Sequence, residues 1–310
     1  MPAITPSSIQ LFPVSPTLFP LTRLGIIRLS GADRVKYLQG QVSCDVQALQ
    51  LGQQCLGAHC DAKGKMWSCF RLLVLEDALL LLTEISLLPR SLAELKKYGV
   101  FAKVEIQDAS NEYQMAGLAG TGSDDWMRQQ HGLTESGVLT AGQATRIEAD
   151  RWLIVTQSAA ESGLVQQQEA AWWGMEILAG LPHMSAEHQG EYIPQMINLH
   201  ALGGISFTKG CYMGQETIAR AKYRGANNRG LFILQGQSSH PLRVADTLEV
   251  ALGDQWKRAG QILDYWQQDN QVLLTAVLPL DTEPQARFRC KEYPDSSLLL
   301  RPLPYSLEDH

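Results

Sequence analysis

The stretch Lys209-Gly210-Cys211-Tyr212-Met213-Gly214-Gln215-Glu216 is the most informative part of this chain for both fold and chemistry. Residues 216–223 are predicted to form a helix, because the segment is acidic at its start and basic at its end. Cys211 would then lie near a helix N-terminus and two positions from Lys209, and both features favour a thiolate. The same pattern also suits a small buried cysteine between two turns, since free cysteine is among the most buried residue types.

A basic run accompanies this stretch. Between positions 209 and 230, five basic residues and one acidic residue give a local charge of 5 − 1 = +4, from Lys209, Arg220, Lys222, Arg224 and Arg229 against Glu216. The whole chain carries a net charge of −6, which argues against an extended nucleic-acid-binding surface. A local patch of this kind could dock a folate polyglutamate tail, a phosphate backbone or an acidic partner, or could be a solvated helix face.

Composition places the chain among ordinary globular proteins. Its 310 residues, 45% hydrophobic and 19% charged, are enough for about two domains with cores. The longest apolar run, residues 78–88, is interrupted by polar residues and is too short to cross a bilayer, and the N-terminus lacks a signal-peptide pattern. We therefore expect a cytoplasmic protein with no membrane partner.

No metal site is predicted. The cysteines, at positions 44, 55, 60, 69, 211 and 290, include no Cys-x-x-Cys pair, so zinc ribbons and ferredoxin-type clusters are poorly supported. His183, His188 and His200 lie in loop-like sequence with no spacing typical of a metal site, and are interpreted as surface or loop residues.

The pattern of secondary structure predicts an α+β body followed by a small all-β module. The first half of the body has predicted strands at 26–29, 55–60, 66–75, 78–83 and 100–106 and helices at 32–39 and 89–98. A similar order from 113 to 181 ends in a long helix from about 161 to 179. From about Arg229 onward, short apolar runs at 231–234, 247–250, 260–263 and 272–277 alternate with Gly, Asp and Pro turns.

Three segments resemble the signature of the YgfZ family, in the family's order and across most of the first 230 residues. They are residues 193–225, residues 37–45 and residues 59–67. Members of this family are folate-binding proteins within the glycine-cleavage T-protein superfamily. The resemblance implies a folate-binding α+β body over residues 1–228, with two lobes that meet near residue 110 and enclose a central cavity. It also implies a β-barrel domain over residues 229–310.

The resemblance also implies the site residues. Trp172 is expected to stack on the flat pterin of a reduced folate, a contact worth roughly 1–3 kcal/mol by analogy with base stacking. The second aromatic wall of the family falls at Leu24, so this wall is expected to be aliphatic. Tyr212 and Gln215 are further expected folate contacts. Cys211 is expected to face the cavity as the functional thiol, activated by Lys209.

Two departures from the superfamily bear on catalysis. The Glu-Ala-Gly of the family is Leu178-Ala179-Gly180 here, and Glu176 is not assumed to replace the missing carboxylate. T-proteins carry paired aspartates after a Lys-Gly turn, whereas residues 66–69 after Lys63-Gly64 contain no acidic residue. Serine and cysteine do not supply a carboxylate's charge at neutral pH. Glycine-cleavage aminomethyl transfer is therefore not predicted, and an accessory protein is favoured over an enzyme.

The function implied by the resemblance is that of a tetrahydrofolate-binding accessory protein. Such a protein would support tRNA thiomethylation by iron–sulfur enzymes and the upkeep of those enzymes. One alternative is a folate-dependent one-carbon transferase or demethylase acting on a small amine, and another is an RNA-docking adaptor that uses the basic run. Direct tRNA binding is expected to be weak or absent, because the chain is acidic and only Tyr223 could supply an aromatic platform in the run.

Overall fold

Two β-sheets with flanking helices and one closed β-barrel make up the computed structural model, which describes residues 9–158, 163–225 and 227–307. The body elements are β1 (Thr17–Pro20), β2 (Leu24–Ser30), α1 (Arg34–Gln39), β3 (Gln54–Cys60), β4 (Met66–Val74), β5 (Ala78–Glu84), α2 (Leu88–Gly99), β6 (Glu105–Asp108), β7 (Gln114–Ala119), α3 (Ser123–His131), β8 (Gly137–Leu139), β9 (Gly142–Glu148), β10 (Arg151–Thr156), β11 (Val165–Gln166), α4 (Glu169–Leu178) and α5 (Gln215–Tyr223). The barrel strands are β12 (Arg229–Gln237), β13 (Thr247–Leu252), β14 (Gln255–Gln268), β15 (Gln271–Pro279), β16 (Arg287–Cys290) and β17 (Ser297–Arg301). None of the described helices has the length and apolar character that a bilayer crossing needs.

The first lobe is built on a five-stranded sheet in the order β3-β4-β5-β2-β6. Its central strand β5 is buried along nearly its whole length. Leu79 and Leu81 pack on one side with Leu95 of α2, while Leu80 and Leu82 pack on the other side with Trp172. A strand that is covered on both faces has no polar alternation, which explains the continuous apolar sequence of β5.

The second lobe contains a six-stranded sheet in the order β11-β1-β7-β10-β9-β8. Strand β1 pairs antiparallel with β7 and parallel with β11, so the start of the chain is built into the second lobe. The chain then forms the first lobe and returns at β7. Strand β1 therefore belongs to the second lobe, although it precedes the predicted lobe boundary near residue 110 in the sequence.

Helix α4 is shorter than the helix predicted over about 161–179. It begins at Glu169 after the extended residue Gln168, and residues 159–162 lie outside the described residues. Residues 165–166, which were predicted to be helical, form β11 instead and pair with β1. Residues 172–177 are all buried, which makes α4 a central helix rather than a surface one.

The strand predicted over residues 100–106 is wrong for most of that range. Strand β6 covers Glu105–Asp108, and the preceding residues form a turn that leaves α2. This turn is held to the start of α1, where Asp33 N donates to the Lys103 carbonyl and the Asp33 carboxylate accepts from Lys103 N at 2.8 Å. Phe101 is fully exposed, so the apolar character of the run does not reflect a buried strand.

The predicted all-β module is confirmed as a closed six-stranded barrel in the order β12-β15-β14-β13-β16-β17. Strand β17 pairs back onto β12, so the sheet has no open edge. Strand β14 is the longest, and its pairing with β15 shifts register between Ile262 and Asp264. Such a β-bulge changes the direction in which a side chain points.

Candidate functional site

A cavity of about 60 Å³ lies between the two lobes and α4. Trp172 and Leu24, two of the predicted folate contacts, both line it. The Trp172 ring lies directly against the backbone of β7, since a Cβ at Gly117 would come within 2.1 Å of it. Phe19 packs on the ring with centroids 6.1 Å apart, and Trp172 is only 2% exposed. Its position is therefore fixed by close packing.

A buried carboxylate, Glu176, also lines this cavity. One of its oxygens pairs with Arg151, and the other lies 3.1 Å from Nε2 of His183. Burial would raise the pKa of Glu176, but the charge of Arg151 and the hydrogen bond from His183 outweigh burial and lower it to about 2. The cavity therefore contains an ionised carboxylate at neutral pH.

Glu176 is not among the predicted site residues, because the position where the family has glutamate is Leu178 here. A signal was present nonetheless. Glu176 is the one acidic residue after the first turn of α4, in a segment that is otherwise apolar. A charged residue in such a segment is rarely buried without a partner and marks a candidate functional site.

Glu176 predicts a specific acid sensitivity. Its folded-state pKa lies below the ordinary value of 4.5, so its contribution to stability is present above pH 4.5 and is lost as the pH falls toward 2. A lowering from 4.5 to about 2 corresponds to a few kcal/mol of unfolding free energy, at about 1.4 kcal/mol for each pKa unit. Urea unfolding between pH 5 and pH 2 should show this loss in the wild-type protein but not in Glu176→Gln. Equal pH slopes for the two proteins would contradict the assignment.

The three segments that carry the family resemblance meet on the first lobe. Ser206 N donates to the Ser43 carbonyl at 2.8 Å, and Met213 N donates to the Gly40 carbonyl at 3.1 Å. The turn between β3 and β4 packs against Gly214, where a Cβ would lie 2.6 Å from the Asp61 carbonyl oxygen. Gly214 also has a positive φ of 82°, so both its conformation and its surroundings require glycine. We call residues 206–214 the thiol loop.

Cys211 lies on the thiol loop, four residues before α5 begins, and is exposed. The described lining of the cavity between the lobes does not include Cys211, so the expectation that it faces that cavity stays a prediction. The cysteine that lines the cavity is Cys69, and burial raises the pKa of its thiol to about 12. Cys69 is therefore a neutral group in the cavity, whereas Cys211 is open to solvent.

Lys209 anchors the thiol loop to the segment before β3. Its ammonium donates to the carbonyls of Val42 and Cys44 at 2.8 and 2.7 Å and lies 4.9 Å from the ring centroid of Tyr212. Lys209 is 8% exposed, and burial lowers its pKa to about 8 although neighbouring Cys44 opposes the shift. The role of Lys209 as activator of Cys211 stays a prediction, while its anchoring role follows from these contacts.

Tyr212 and Gln215 lie at the thiol loop and are not brought together with Trp172 and Leu24. Tyr212 is buried with Ile218, and its hydroxyl has no hydrogen-bond partner among the described residues. Gln215 is the first residue of α5. Neither residue is in the described lining of the cavity, so their assignment as folate contacts stays a prediction.

Several cations of the basic run are already engaged. Arg220 pairs with Glu216 at 2.6 Å, and the Lys222 ammonium lies 4.0 Å from the Phe207 ring centroid. Arg229 donates to the carbonyls of Ala259 and Val277 inside the barrel domain. These contacts hold three of the cations in place within the protein, and the Arg220–Glu216 pair also offsets one positive charge that the run could offer to a phosphate backbone.

The histidines at 183, 188 and 200 lie in loops and a short 3₁₀ turn, as interpreted, but two of them are not ordinary surface residues. His188 is buried and its Nε2 lies 3.1 Å from the Ile262 carbonyl, while His183 lines the cavity beside Glu176. Among the described residues, Asp246, Cys290 and Glu292 of the barrel form one group whose potential metal-ligand atoms lie within 4.8 Å of one another. Cysteine spacing could not reveal that group, because two of its members are carboxylates.

Comparison with solved structures defines the class of fold. The chain matches the crystal structure of glycine cleavage system aminomethyltransferase T from Bartonella henselae with a TM-score of 0.70, over 95% of this chain and 87% of that chain. The sequence identity is 15%, so the match shows a shared fold. The protein thus has the fold of the glycine-cleavage T-proteins, with two α+β lobes around a cavity and a β-barrel.

Sequence comparison gives the family. Residues 227–293 match the family model described as YgfZ, beta-barrel domain. The tRNA-modifying protein YgfZ of Vibrio atlanticus is 42% identical over 295 residues, which cover 91% of this chain and 90% of that protein. The protein of the same name from Yersinia pseudotuberculosis serotype IB is 40% identical, with 94% and 93% covered. The chain belongs to the YgfZ family.

Proposed function

We propose that this protein binds tetrahydrofolate or a related reduced folate between its lobes and supports tRNA modification through Cys211. The observation that carries the folate assignment is the pair formed by Trp172 and the ionised Glu176 in the cavity of a T-protein fold. The link to tRNA is supported by the two relatives at 40% identity or more that are named tRNA-modifying proteins.

The cavity offers the groups that a pterin needs. Trp172 supplies a flat apolar face, and Glu176 can accept hydrogen bonds from the N–H groups of the pterin, since each carboxylate oxygen has two lone pairs. Trp173 also lines the cavity, and its buried Nε1 has no acceptor among the described residues. The cavity of about 60 Å³ is smaller than the roughly 300–1,000 Å³ of typical ligand sites, so we expect its walls to separate or the folate to extend beyond it.

A reduced folate supplies a carrier for one-carbon units. The residues of this chain bind and orient it, with Arg151 and His183 holding Glu176 in place. Ser68 and Cys69 follow the Lys-Gly turn on β4, where T-proteins carry aspartates. Ser68 is buried against Ser91 at 3.0 Å, and Cys69 is neutral. This arrangement supports an accessory role over aminomethyl transfer.

Cys211 is the group through which we propose that the protein acts on its partners. It is exposed on a loop whose backbone is fixed by Lys209 and Gly214, so a partner can reach the thiol without unfolding the loop. We propose that the partners are iron–sulfur enzymes of tRNA thiomethylation in the cytoplasm, and that the protein contributes to the upkeep of these enzymes. Direct tRNA binding is expected to be weak or absent, given the paired cations of the basic run.

Thermal unfolding with tetrahydrofolate tests the folate assignment. At a ligand concentration about 100 times the dissociation constant, the stabilisation should be about 2.7 kcal/mol, or several degrees in Tm for a chain of this size. p-Aminobenzoylglutamate, which lacks the pterin, is the control ligand and should give a much smaller shift. The absence of a shift with several reduced folates at saturating concentration would refute the assignment.

A further inference from the structure

A second, larger opening lies between the body and the barrel. This groove of about 760 Å³ is lined by Arg23, by residues at the start of α4 and by residues of β14. It shares Glu84 and Trp173 with the cavity between the lobes, so the two spaces adjoin. A ligand in the groove would therefore lie next to a folate.

Asp264 is an incompletely satisfied carboxylate in this groove. It is 2% exposed, and its Oδ1 accepts hydrogen bonds from Arg23 and from Tyr265 N, at 3.1 and 2.9 Å. Its Oδ2 is buried and accepts no hydrogen bond from any described residue. A buried oxygen of a charged group without a donor is costly, and the β-bulge at Asp264 places this group on the groove.

Arg23 occupies the space between this carboxylate and an aromatic ring. Its guanidinium carbon lies 4.5 Å from the ring centroid of Trp173, while its Nη2 lies 3.1 Å from Asp264. The side chain of Arg23 is 30% exposed, whereas that of Asp264 is 3% exposed. The groove therefore holds a cation at its open side, between an aromatic face and a buried carboxylate.

The charged residues around the groove favour a positively charged ligand. Four carboxylates of the described lining stand against two guanidinium groups, which gives a net charge of 2 − 4 = −2 (Glu84, Glu169, Glu187 and Asp264 against Arg23 and Arg243). A cleft lined mainly by one sign of charge concentrates ligands of the opposite sign.

We propose that this groove binds a small organic ammonium ion, with Asp264 as its counter-ion and Trp173 as its aromatic wall. The ammonium takes the position that the Arg23 guanidinium holds, and Arg23 moves toward solvent. An N–H donor on the ligand satisfies the carboxylate that Arg23 leaves. The proposal goes beyond folate binding and does not depend on it, because Arg23 and Asp264 are outside the described lining of the cavity between the lobes.

Titration calorimetry with benzylammonium and with benzyl alcohol tests the charge requirement. The two probes share one aromatic ring and differ in the cationic nitrogen. Benzylammonium should bind about tenfold or more tightly than benzyl alcohol, since hydrogen bonds to charged groups are the stronger ones. Equal affinities, or no binding of benzylammonium, would overturn the proposal.

Two variants with opposite expected effects locate the site. Asp264→Asn should weaken benzylammonium binding at least tenfold, while Arg23→Gln should tighten it several-fold by removing the internal competitor. Glu249→Gln is the matched control, because it breaks another ion pair of the barrel, with Arg289 at 2.8 Å, away from the groove. If Asp264→Asn does not fold, the affinity of Arg23→Gln for benzylammonium becomes the deciding measurement. Weaker binding of benzylammonium to Arg23→Gln than to the wild-type protein would overturn the proposal. A tetrahydrofolate titration of each variant keeps this test separate from the folate assignment.

Discussion

Replacing Cys211 by serine is expected to abolish the contribution of this protein to tRNA modification while its stability stays unchanged. The thiol is exposed, and substitutions at such positions usually change the unfolding free energy by less than about 0.5 kcal/mol. The measurement is the content of thiomethylated nucleosides in tRNA from cells whose own copy of the gene is deleted. Circular dichroism should give the same Tm for the variant and the wild-type protein.

Thr208→Ala is the matched control, because Thr208 is exposed on the same loop and offers no thiol. This control should keep full activity, and full activity of Cys211→Ser would reject the thiol as the functional group. The role of Lys209 is tested separately, by the rate at which Cys211 is alkylated. If its ammonium activates Cys211, Lys209→Met should slow alkylation of Cys211 by iodoacetamide at neutral pH, because a cation nearby favours the thiolate.

Trp172→Ala is expected to cause the largest loss of stability together with loss of folate binding. Removing a fully buried tryptophan costs about 3–5 kcal/mol, because the transfer free energy is lost and a cavity remains. The ring also packs on Phe19 and lies beneath the guanidinium of Arg151, at 5.3 Å from the guanidinium carbon. Urea unfolding should show the loss of stability, and the thermal shift with tetrahydrofolate should disappear.

A second pair of variants separates stacking from stability. Trp172→Leu keeps an apolar side chain but removes the aromatic face, so folate affinity should fall by roughly 1–3 kcal/mol in a folded protein. Trp152→Leu changes another buried tryptophan, in a different cluster of the second lobe, and should lose stability but keep the folate shift. A full folate shift in Trp172→Leu would show that Trp172 is not a folate contact.

Local chemistry was enough to predict the two strands beside the Asp61 turn and the all-β module, whereas the barrel was implied by the family resemblance. The turn after β3 is closed by Asp61, whose carboxylate accepts from the backbone N–H groups of Lys63 and Lys65 at 2.8 Å. Such a turn is encoded within five residues and does not depend on distant parts of the chain. The barrel strands are likewise separated by turn residues, so their existence could be read locally, although closure through β12 and β17 could not.

The direction of side chains in the site depended on packing between distant segments. The exposure of Cys211 could not be predicted from the sequence, because its loop is anchored by Lys209, which donates to the Val42 carbonyl 167 positions away. The partner of Glu176 could not be predicted either, since Arg151 belongs to a strand that packs on α4 only in the folded protein. A pattern of residue types along the chain does not show which distant residues will meet, because these contacts form only in the tertiary structure.

Helix α4 links the unfolding of the α+β body to that of the barrel. Its buried faces contact the cavity between the lobes through Trp172 and the barrel through Ile177, which packs with Ile233, Trp266 and Leu273. A Cβ at Gly174 would come within 3.1 Å of the Trp266 ring, so helix and barrel are in close contact. Opening either half exposes apolar surface of the other, so we expect the body and the barrel to unfold as one cooperative unit, a single foldon across both domains. Ligand bound between the lobes should consequently slow hydrogen exchange in the barrel strands β14 and β15 as well.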